Sequence, residues 1–226
     1  MKMKTKILIA LFVAFLAVTL QVTQSVSEGR VVSPVAVAAT HVLAERQMSL
    51  NTRYANKSVN DVFKDNILLT LSYMSGKVKR PADIDWTKVR ANSRYELVLQ
   101  PGEVFAFHND VLPQYKGKQL KTIAADFGPA DGYKSDGYLY GDGVCHFASL
   151  IHWAAQDAGL KVLSPVNHDF AHIPEVPRQY GTSIYTTPEN SYTSEMQNLY
   201  VENNFDKPVT IVFEYSDPEL KVSVEK

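Results

Sequence analysis

The fold of this chain is decided by residues 141–160, which read GDGVCHFASLIHWAAQDAGL. A glycine-rich turn runs directly into a segment whose hydrophobic residues recur at intervals of three and four, the period of a helix buried along one face. That face consists of Val144, Ala148, Ile151, Ala155 and Ala158. Gly159 supplies the left-handed residue that commonly follows a last helical turn. We therefore predict a helix that begins at the turn and ends before Gly159.

Cys145, the only cysteine of the chain, lies in the first turn of this predicted helix. The backbone N–H groups there lack partners within the helix, and the helix dipole favours negative charge, so both effects stabilise a thiolate. The position is typical of a nucleophile. The alternative is a small core side chain, because free cysteines are among the most often buried residues. The glycines on both sides of Asp142 leave the backbone before the thiol open to a substrate.

Residues 1–27 have the pattern of a signal peptide, because three lysines are followed by the run 7–20, which is apolar except for Thr19. The run is shorter than the roughly 20 residues that a membrane span needs, and an uncleaved N-terminal membrane anchor is the alternative. In either case we expect an exported protein, extracellular or associated with the cell envelope. An unpaired thiol in such a protein is a liability unless it is used.

We interpret residues 28–50 as a linker and residues 51–226 as one domain, which is long enough to bury a core. Without residues 1–27 the chain has 20 basic and 24 acidic residues, a net charge of −4. This balance argues against nucleic acid as a partner. A single cysteine allows no internal disulfide, so packing must stabilise the domain.

The patterns predict an α+β fold: a single domain with a mostly antiparallel sheet, two main helices, and the cysteine at the N-terminus of the second helix. The first helix begins near Ser58 and ends at Gly76. Asn66 is the one polar residue on its apolar surface, as either a buried hydrogen-bonding hub or a solvent-edge residue.

Alternating apolar residues predict the strands of this fold, over 95–99, 104–107, 161–166, 182–186, 199–203 and 208–215. The first two strands are predicted to form a hairpin, because Pro101-Gly102 between them suits the central positions of a type II turn. Residues 113–142 are predicted to be a long loop that leads to the cysteine. Long ordered loops in compact domains tend to be functional.

Several blocks of sequence, in their order and spacing, resemble the VanW family. They are LQPGEVFAFH at 99–108, the segment 141–155, NH at 167–168, and LYVENN at 199–204 with PVTI at 208–211. The resemblance covers residues 58–213, in which 77–96 looks like an insertion. That family is named from vancomycin-resistance clusters, and its biochemical role is unsettled. The resemblance implies an exported or membrane-anchored protein associated with the bacterial cell envelope.

The chain departs from the family pattern at four positions around the predicted site. His146 stands where the family usually has glutamine, and Asp142 stands in place of the central glycine before GVC. The Ser/Thr-rich start of the helix is reduced to Ser149, and Ser183 occupies the position of an expected aspartate. These departures argue against a fixed catalytic triad.

A nucleophilic Cys145 needs a base, and histidine is the candidate. His146 projects about 100° around the helix from the thiol, and His152 lies about two turns away, so neither is well placed. His168 follows the next predicted strand, and the resemblance to the family includes it. We therefore expect His168 to be the base, with His172 as the second choice. The alternative for His168 is a turn residue bonded to backbone.

The third catalytic group is left open among Asp169, Glu175 and Asn190, with Asp169 as the first choice. Asp142 beside the thiol would raise the pKa of the thiol, and it could instead bind a substrate amine. Predicted substrate-binding residues are Asp142, Gly143, Tyr138, Tyr140 and His172. A metal site formed by Cys145, His168 and His172 lacks the paired spacing of zinc motifs, so we expect no metal and no cofactor.

Two hypotheses of function follow. The first is a cysteine-dependent amide hydrolase or transpeptidase that acts on peptidoglycan or peptide, with the backbone of 141–144 donating to the oxyanion. The second is a non-catalytic envelope-binding or scaffolding domain linked to cell-wall maintenance or glycopeptide resistance. In the second hypothesis the tyrosine-rich loop 115–140 contacts a cell-wall peptide or glycan, and Tyr138 and Tyr140 matter more than Cys145.

Overall fold

The computed structural model describes residues 41–226, which form one α+β body. The predicted signal peptide or anchor, residues 1–27, lies outside the described residues. The helices of 41–226 are α1 (Lys57–Met74), α2 (Trp86–Val89), α3 (Val144–Asp157) and α4 (Ser191–Met196). None of these helices is both long and apolar enough to cross a membrane.

The strands form two sheets rather than the single sheet that the sequence predicts. The first sheet is antiparallel, in the order β1 (Val42–Ser49), β8 (Glu219–Glu225), β7 (Val209–Ser216) and β2 (Ser93–Leu99). The second has the order β4 (Leu120–Thr122), β3 (Val104–Ala106), β6 (Tyr200–Glu202) and β5 (Lys161–Leu163). Only the pairing of β3 with β4 is parallel, so the prediction of a mostly antiparallel α+β fold is confirmed.

The described end of the predicted linker is a strand, which corrects that prediction for residues 42–49. β1 pairs with β8 along its length, from Val42 opposite Glu225 to Ser49 opposite Glu219. The partner strand lies at the far end of the chain, and VLAERQMS shows little alternation of apolar residues. The local sequence therefore predicts a strand only weakly, and the pairing with β8 stabilises the strand conformation. Residues 28–40 lie outside the described residues.

The predicted hairpin is wrong, although both of its strands exist. The turn forms as expected, because Glu103 N donates to Gln100 O at 2.9 Å and Gly102 has a φ of +78°. However, β2 pairs with β7 and β3 pairs with β4 and β6, so the turn carries the chain from one sheet to the other. Asn203 stabilises this turn, because its backbone O accepts from Gly102 N and its backbone N donates to Glu103 O.

Residues 182–186 form no strand, which is a second correction. Ser183 N donates to Val166 O and Tyr185 N donates to Gln197 O, so two different segments supply the partners and no ladder develops. Burial does not alternate along this segment either, since Thr182, Ser183 and Ile184 are all buried and Tyr185 is about half exposed.

Helix α3 lies at the centre of the fold and packs on α1, β1, β5 and β8. All five residues of its predicted stripe are buried, and Gly159 after it has a φ of +82°, so the predicted helix and its end are confirmed. Helix α1 is capped by Asn56, whose side chain accepts from Ser58 N and Val59 N, so the helix begins two residues earlier than a cap at Ser58 would give. The N-terminus of α3 follows the long loop segment that comes after β4.

Candidate functional site

The turn before α3 is shaped by two glycines with positive φ. At Gly143, with a φ of +94°, an added Cβ would lie 2.6 Å from the Phe63 carbonyl oxygen of α1. At Gly141, with a φ of +78°, it would lie 2.8 Å from the Phe127 carbonyl oxygen. The glycines therefore allow the backbone to pack tightly on its neighbours. Both glycines also line the cavity described below, so the expectation that a substrate can approach this backbone stays a prediction.

Asn66 is a buried hydrogen-bonding hub rather than a solvent-edge residue. Its Nδ2 donates to Lys134 O and to Asp142 O, both at 3.0 Å, and its Oδ1 accepts from Lys134 N at 2.9 Å. One side chain of α1 therefore ties together both ends of residues 134–142. Between these ends Ser135 and Tyr140 form a β-bridge. The tyrosine-bearing loop is thus fixed at its base.

A cavity of about 470 Å³ lies beside the N-terminus of α3. Its aromatic lining comes from α1 and from four loops, and it consists of Tyr54, Phe63, Phe127, Tyr140, Phe170 and Tyr185. Its titratable lining consists of Asp126, Asp142, Cys145, His146, His168 and His172, together with Arg53. The volume is within the range of small-molecule and peptide sites.

Cys145 is the second residue of α3, and its thiol is engaged by backbone rather than by a histidine. Sγ accepts from Ile184 N at 3.3 Å and lies 3.6 Å from Ile184 O. No histidine of residues 41–226 hydrogen-bonds to it. Burial raises the pKa of the thiol to about 11, and the Asp142 carboxylate also raises it, while the Ile184 N–H acts in the opposite direction. The thiolate stabilisation expected at this helix terminus is therefore outweighed by desolvation.

His146 and His168 face each other across the cavity wall, with ring centroids 6.0 Å apart. Each is only 6% exposed, and the Nδ1 atom of each is buried without a hydrogen-bond partner. Burial lowers the pKa of His146 to about 3, and Arg53 and His168 contribute in the same direction. Burial also lowers the pKa of His168. Both imidazoles are therefore neutral at physiological pH.

The other predicted site residues divide between the cavity and its surroundings. Asp142, Gly143, Tyr140 and His172 line the cavity together with Cys145 and His168. Asp169 is exposed and lines a smaller cavity of about 210 Å³, whose lining shares His168 and His172 with the main cavity. Tyr138 is 93% exposed and does not line the main cavity.

Two of the three candidates for a third catalytic group have other partners. Glu175 accepts from Ser49 N and Thr52 Oγ1 and forms an ion pair with Arg53. Asn190 caps α4 by accepting from Thr193 N. No hydrogen bond joins the Asp169 side chain to His168, whose ring instead packs 4.0 Å from that of Phe170.

The predicted oxyanion donors are partly occupied. Val144 N donates to Gly141 O at 3.0 Å, and Gly141 N donates to Lys134 O at 3.4 Å. These bonds close the turn itself, so two of the four backbone N–H groups of 141–144 are not free for a substrate.

A second polar cluster, around His108 and Asn198, was not singled out by the sequence. Asn198 Oδ1 accepts from the backbone N–H groups of Phe107, His108 and Leu199, and its Nδ2 donates to the carbonyls of His108 and Asp110. His108 Nε2 donates to Gln197 O at 3.0 Å, and its Nδ1 accepts from Asn198. The only signal in the sequence is a pair of polar residues that flank apolar strands.

Within residues 41–226, no three His, Cys, Asp or Glu side chains converge in a metal-binding arrangement. The expectation of no metal and no cofactor remains a prediction. Asp142 has an unpartnered, buried Oδ2, and burial raises the pKa of this carboxyl to about 6, with the Asp136 carboxylate adding to the effect. Three residues that line the cavity, Asp142, His146 and His168, therefore each have one buried polar atom without a partner.

The fold and the cavity define a single α+β domain with a ligand-sized pocket at a helix N-terminus. A family model described as "VanW like protein" matches residues 87–225. The chain therefore belongs to the VanW-like family, as the resemblance of its sequence blocks predicts. The match begins later than the predicted limit of residue 58, so it omits β1 and α1. No curated protein and no solved structure matches the chain.

Proposed function

We propose that this VanW-like domain is a non-catalytic binding module of the cell envelope that holds a cell-wall peptide or glycan in the cavity beside α3. The observation that carries the proposal is that three residues lining one open cavity, Asp142, His146 and His168, each have a buried polar atom without a partner. Buried polar atoms are almost always hydrogen-bonded in native proteins. A bound ligand would supply the missing partners.

The aromatic lining supports a ligand with flat apolar faces, such as a sugar ring or a peptide side chain. Tyr54, Tyr140 and Tyr185 are each about half exposed, at 51%, 55% and 51%, and all three line the cavity. Tyrosine rings combine apolar contact area with a hydroxyl group, which makes them effective in recognition sites. The leader pattern of residues 1–27 and the family membership support a location in the envelope.

The thiol chemistry favours binding over catalysis. A nucleophilic cysteine is active as the thiolate, and enzymes lower the pKa of such a group. Here burial raises the pKa of Cys145 to about 11, and the Ile184 backbone occupies the sulfur. We infer that Cys145 serves as a packing residue that fixes the 182–186 segment against α3.

The test is calorimetric titration of the soluble domain with muropeptides released from purified peptidoglycan by a glycosidase. We expect saturable binding that Tyr140→Ala weakens about tenfold, since it removes one aromatic contact. Tyr138→Ala is the matched control, because Tyr138 lies two residues away, is 93% exposed and does not line the cavity. Cys145→Ala is expected to retain binding. Absence of saturable binding, or equal loss in both tyrosine variants, would contradict the proposal.

A cysteine-dependent amide hydrolase or transpeptidase is the second candidate. It is favoured by one observation, that Cys145 and His168 line the same cavity. This function requires the two side chains to approach each other and the thiol to lose its proton when substrate binds. Release of amide-cleaved products from the same muropeptides, abolished in Cys145→Ala, would establish it in place of the binding function.

A further inference from the structure

We propose that the ligand enters the cavity with an ammonium group, and that the Asp142 carboxylate is the counter-ion of that group. This inference deepens the proposed function, on which it rests, by naming the chemistry of the ligand. It follows from the charges and hydrogen-bond capacities on the cavity wall.

Among residues 41–226, Arg53 supplies the one guanidinium of the cavity wall, and this group has no donor left for a ligand. Arg53 donates from Nε to Ser49 O, from Nη1 to Pro174 O and to the Met48 sulfur, and from Nη2 to the Thr52 hydroxyl. Nη2 also forms the ion pair with Glu175 at 3.1 Å. These contacts use all five N–H groups of a guanidinium. Arg53 is therefore a structural residue whose charge is compensated by Glu175.

The remaining charges on the wall are negative. Asp126 and Asp142 both line the cavity, and Oδ2 of Asp142 is buried without a partner. Asp136 is nearby, because its carboxylate contributes to the raised pKa of Asp142. A site with unpaired carboxylates and no free cationic donor favours a ligand of positive charge.

The two histidines give an independent indication that a ligand completes this site. His146 and His168 are each more than nine-tenths buried, line the cavity, and have an unpartnered Nδ1. Because burial lowers the pKa of both, they add hydrogen-bonding nitrogen atoms without adding positive charge. Neutral imidazoles are compatible with a nearby ammonium group, whereas imidazolium ions would repel it.

The aromatic rings of the wall add to this preference. An ammonium group near an aromatic face is attracted by the ring quadrupole, and the attraction grows when water is excluded. Tyr54 and Tyr140, each about half exposed, offer free ring surface at the cavity. In a cell-wall ligand, the group that fits is the side-chain amine of a stem peptide.

The test compares two forms of one probe: a disaccharide-tetrapeptide whose third residue is lysine, and the same compound acetylated at Nε. We expect the free amine to bind the wild-type domain about tenfold more tightly, because a charge-assisted bond is lost on acetylation. In Asp142→Asn this difference is expected to vanish. The substitution preserves shape, and the buried Oδ2 of Asp142 has no protein partner to lose.

Asp136→Asn is the matched control, since it removes the same charge from the neighbouring loop but not from the cavity wall. It is expected to keep most of the preference for the amine. Equal affinity of the wild-type domain for both probes, or an undiminished preference in Asp142→Asn, would overturn the ammonium inference while leaving the proposed function intact. Failure of both probes to bind would overturn the proposed function itself.

Discussion

Two buried histidine clusters of residues 41–226 differ in whether the polar atoms of their side chains have hydrogen-bond partners. In the first, around His108 and Asn198, each side-chain polar atom has a partner in the protein. In the second, around His146 and His168, Nδ1 of each imidazole is buried without a partner. The first cluster lies just beyond the paired ends of β3 and β6, and the second lines a cavity.

Burial lowers the pKa of the histidines in both clusters, so neither burial nor a shifted pKa separates a structural histidine from a functional one. The difference lies in whether the hydrogen-bonding capacity is filled. A filled cluster contributes to stability, and an unfilled cluster beside a cavity costs stability until a ligand arrives. Each of the following substitutions tests that distinction.

Asn198→Ala is expected to have the largest effect. It removes the acceptor of three backbone N–H groups and the donor to two carbonyls, all within a fully buried site. Leaving several buried polar groups unpaired should lower the free energy of unfolding by about 3 kcal/mol. Urea denaturation followed by circular dichroism measures this loss. A change near zero would show that the His108 cluster does not hold the two strands together.

The same substitution in each cluster gives a matched comparison of intermediate size. His108→Gln is expected to cost about 2 kcal/mol, because both ring nitrogens are hydrogen-bonded. His168→Gln is expected to cost less than about 1 kcal/mol, because its Nδ1 has no partner to lose. The urea midpoints of the two variants, each compared with that of the wild type, measure these two losses of stability. Equal losses would remove the distinction between a filled and an unfilled cluster.

Asp142→Asn is expected to have the smallest effect, with the opposite sign. The folded-state pKa of Asp142, about 6, is higher than the ordinary value, so the folded protein favours the protonated acid. The charged carboxylate therefore destabilises the fold at neutral pH. This cost shrinks as the pH falls through the folded-state pKa of about 6, and it is gone once the pH is below the ordinary pKa of about 3.9. We expect the variant to be more stable by about 1 kcal/mol at about pH 8 and equal to the wild type by about pH 4.

Unfolding curves of Asp142→Asn and wild type at several pH values check both the size and the direction of this effect. A variant less stable than the wild type at neutral pH would mean that the carboxylate is satisfied by the protein. Asp142 would then belong with the filled cluster and not with the ligand site.

The elements with strong local signals were predictable from the sequence. The stripe of α3, its end at Gly159 and the turn at Pro101-Gly102 depend on period and on backbone conformation, and each is present. The partners of strands were not predictable in the same way. β1 pairs with β8 across the whole chain, and the turn at Gly102 joins two sheets instead of closing a hairpin.

The sequence predicted which segments form the candidate site, but not the environment of their side chains. The sequence indicated the turn at 141–145 and His168, and the structure places both at one cavity. It did not indicate that burial raises the pKa of Cys145, because the helix terminus is a local feature and desolvation is a tertiary one. The pairing of Asn66 with Lys134 and Asp142 likewise depends on residues that lie far apart in the chain.

The most direct test of the account is the rate of iodoacetamide labelling of Cys145 as a function of pH, in the folded domain and in His168→Ala. The account predicts a rate that keeps rising beyond the free-cysteine pKa of about 8.5, toward the folded-state pKa of about 11, with the same profile in both proteins. A labelling midpoint well below about 8.5 that shifts in His168→Ala would contradict it, because it would reveal a Cys–His pair tuned for catalysis.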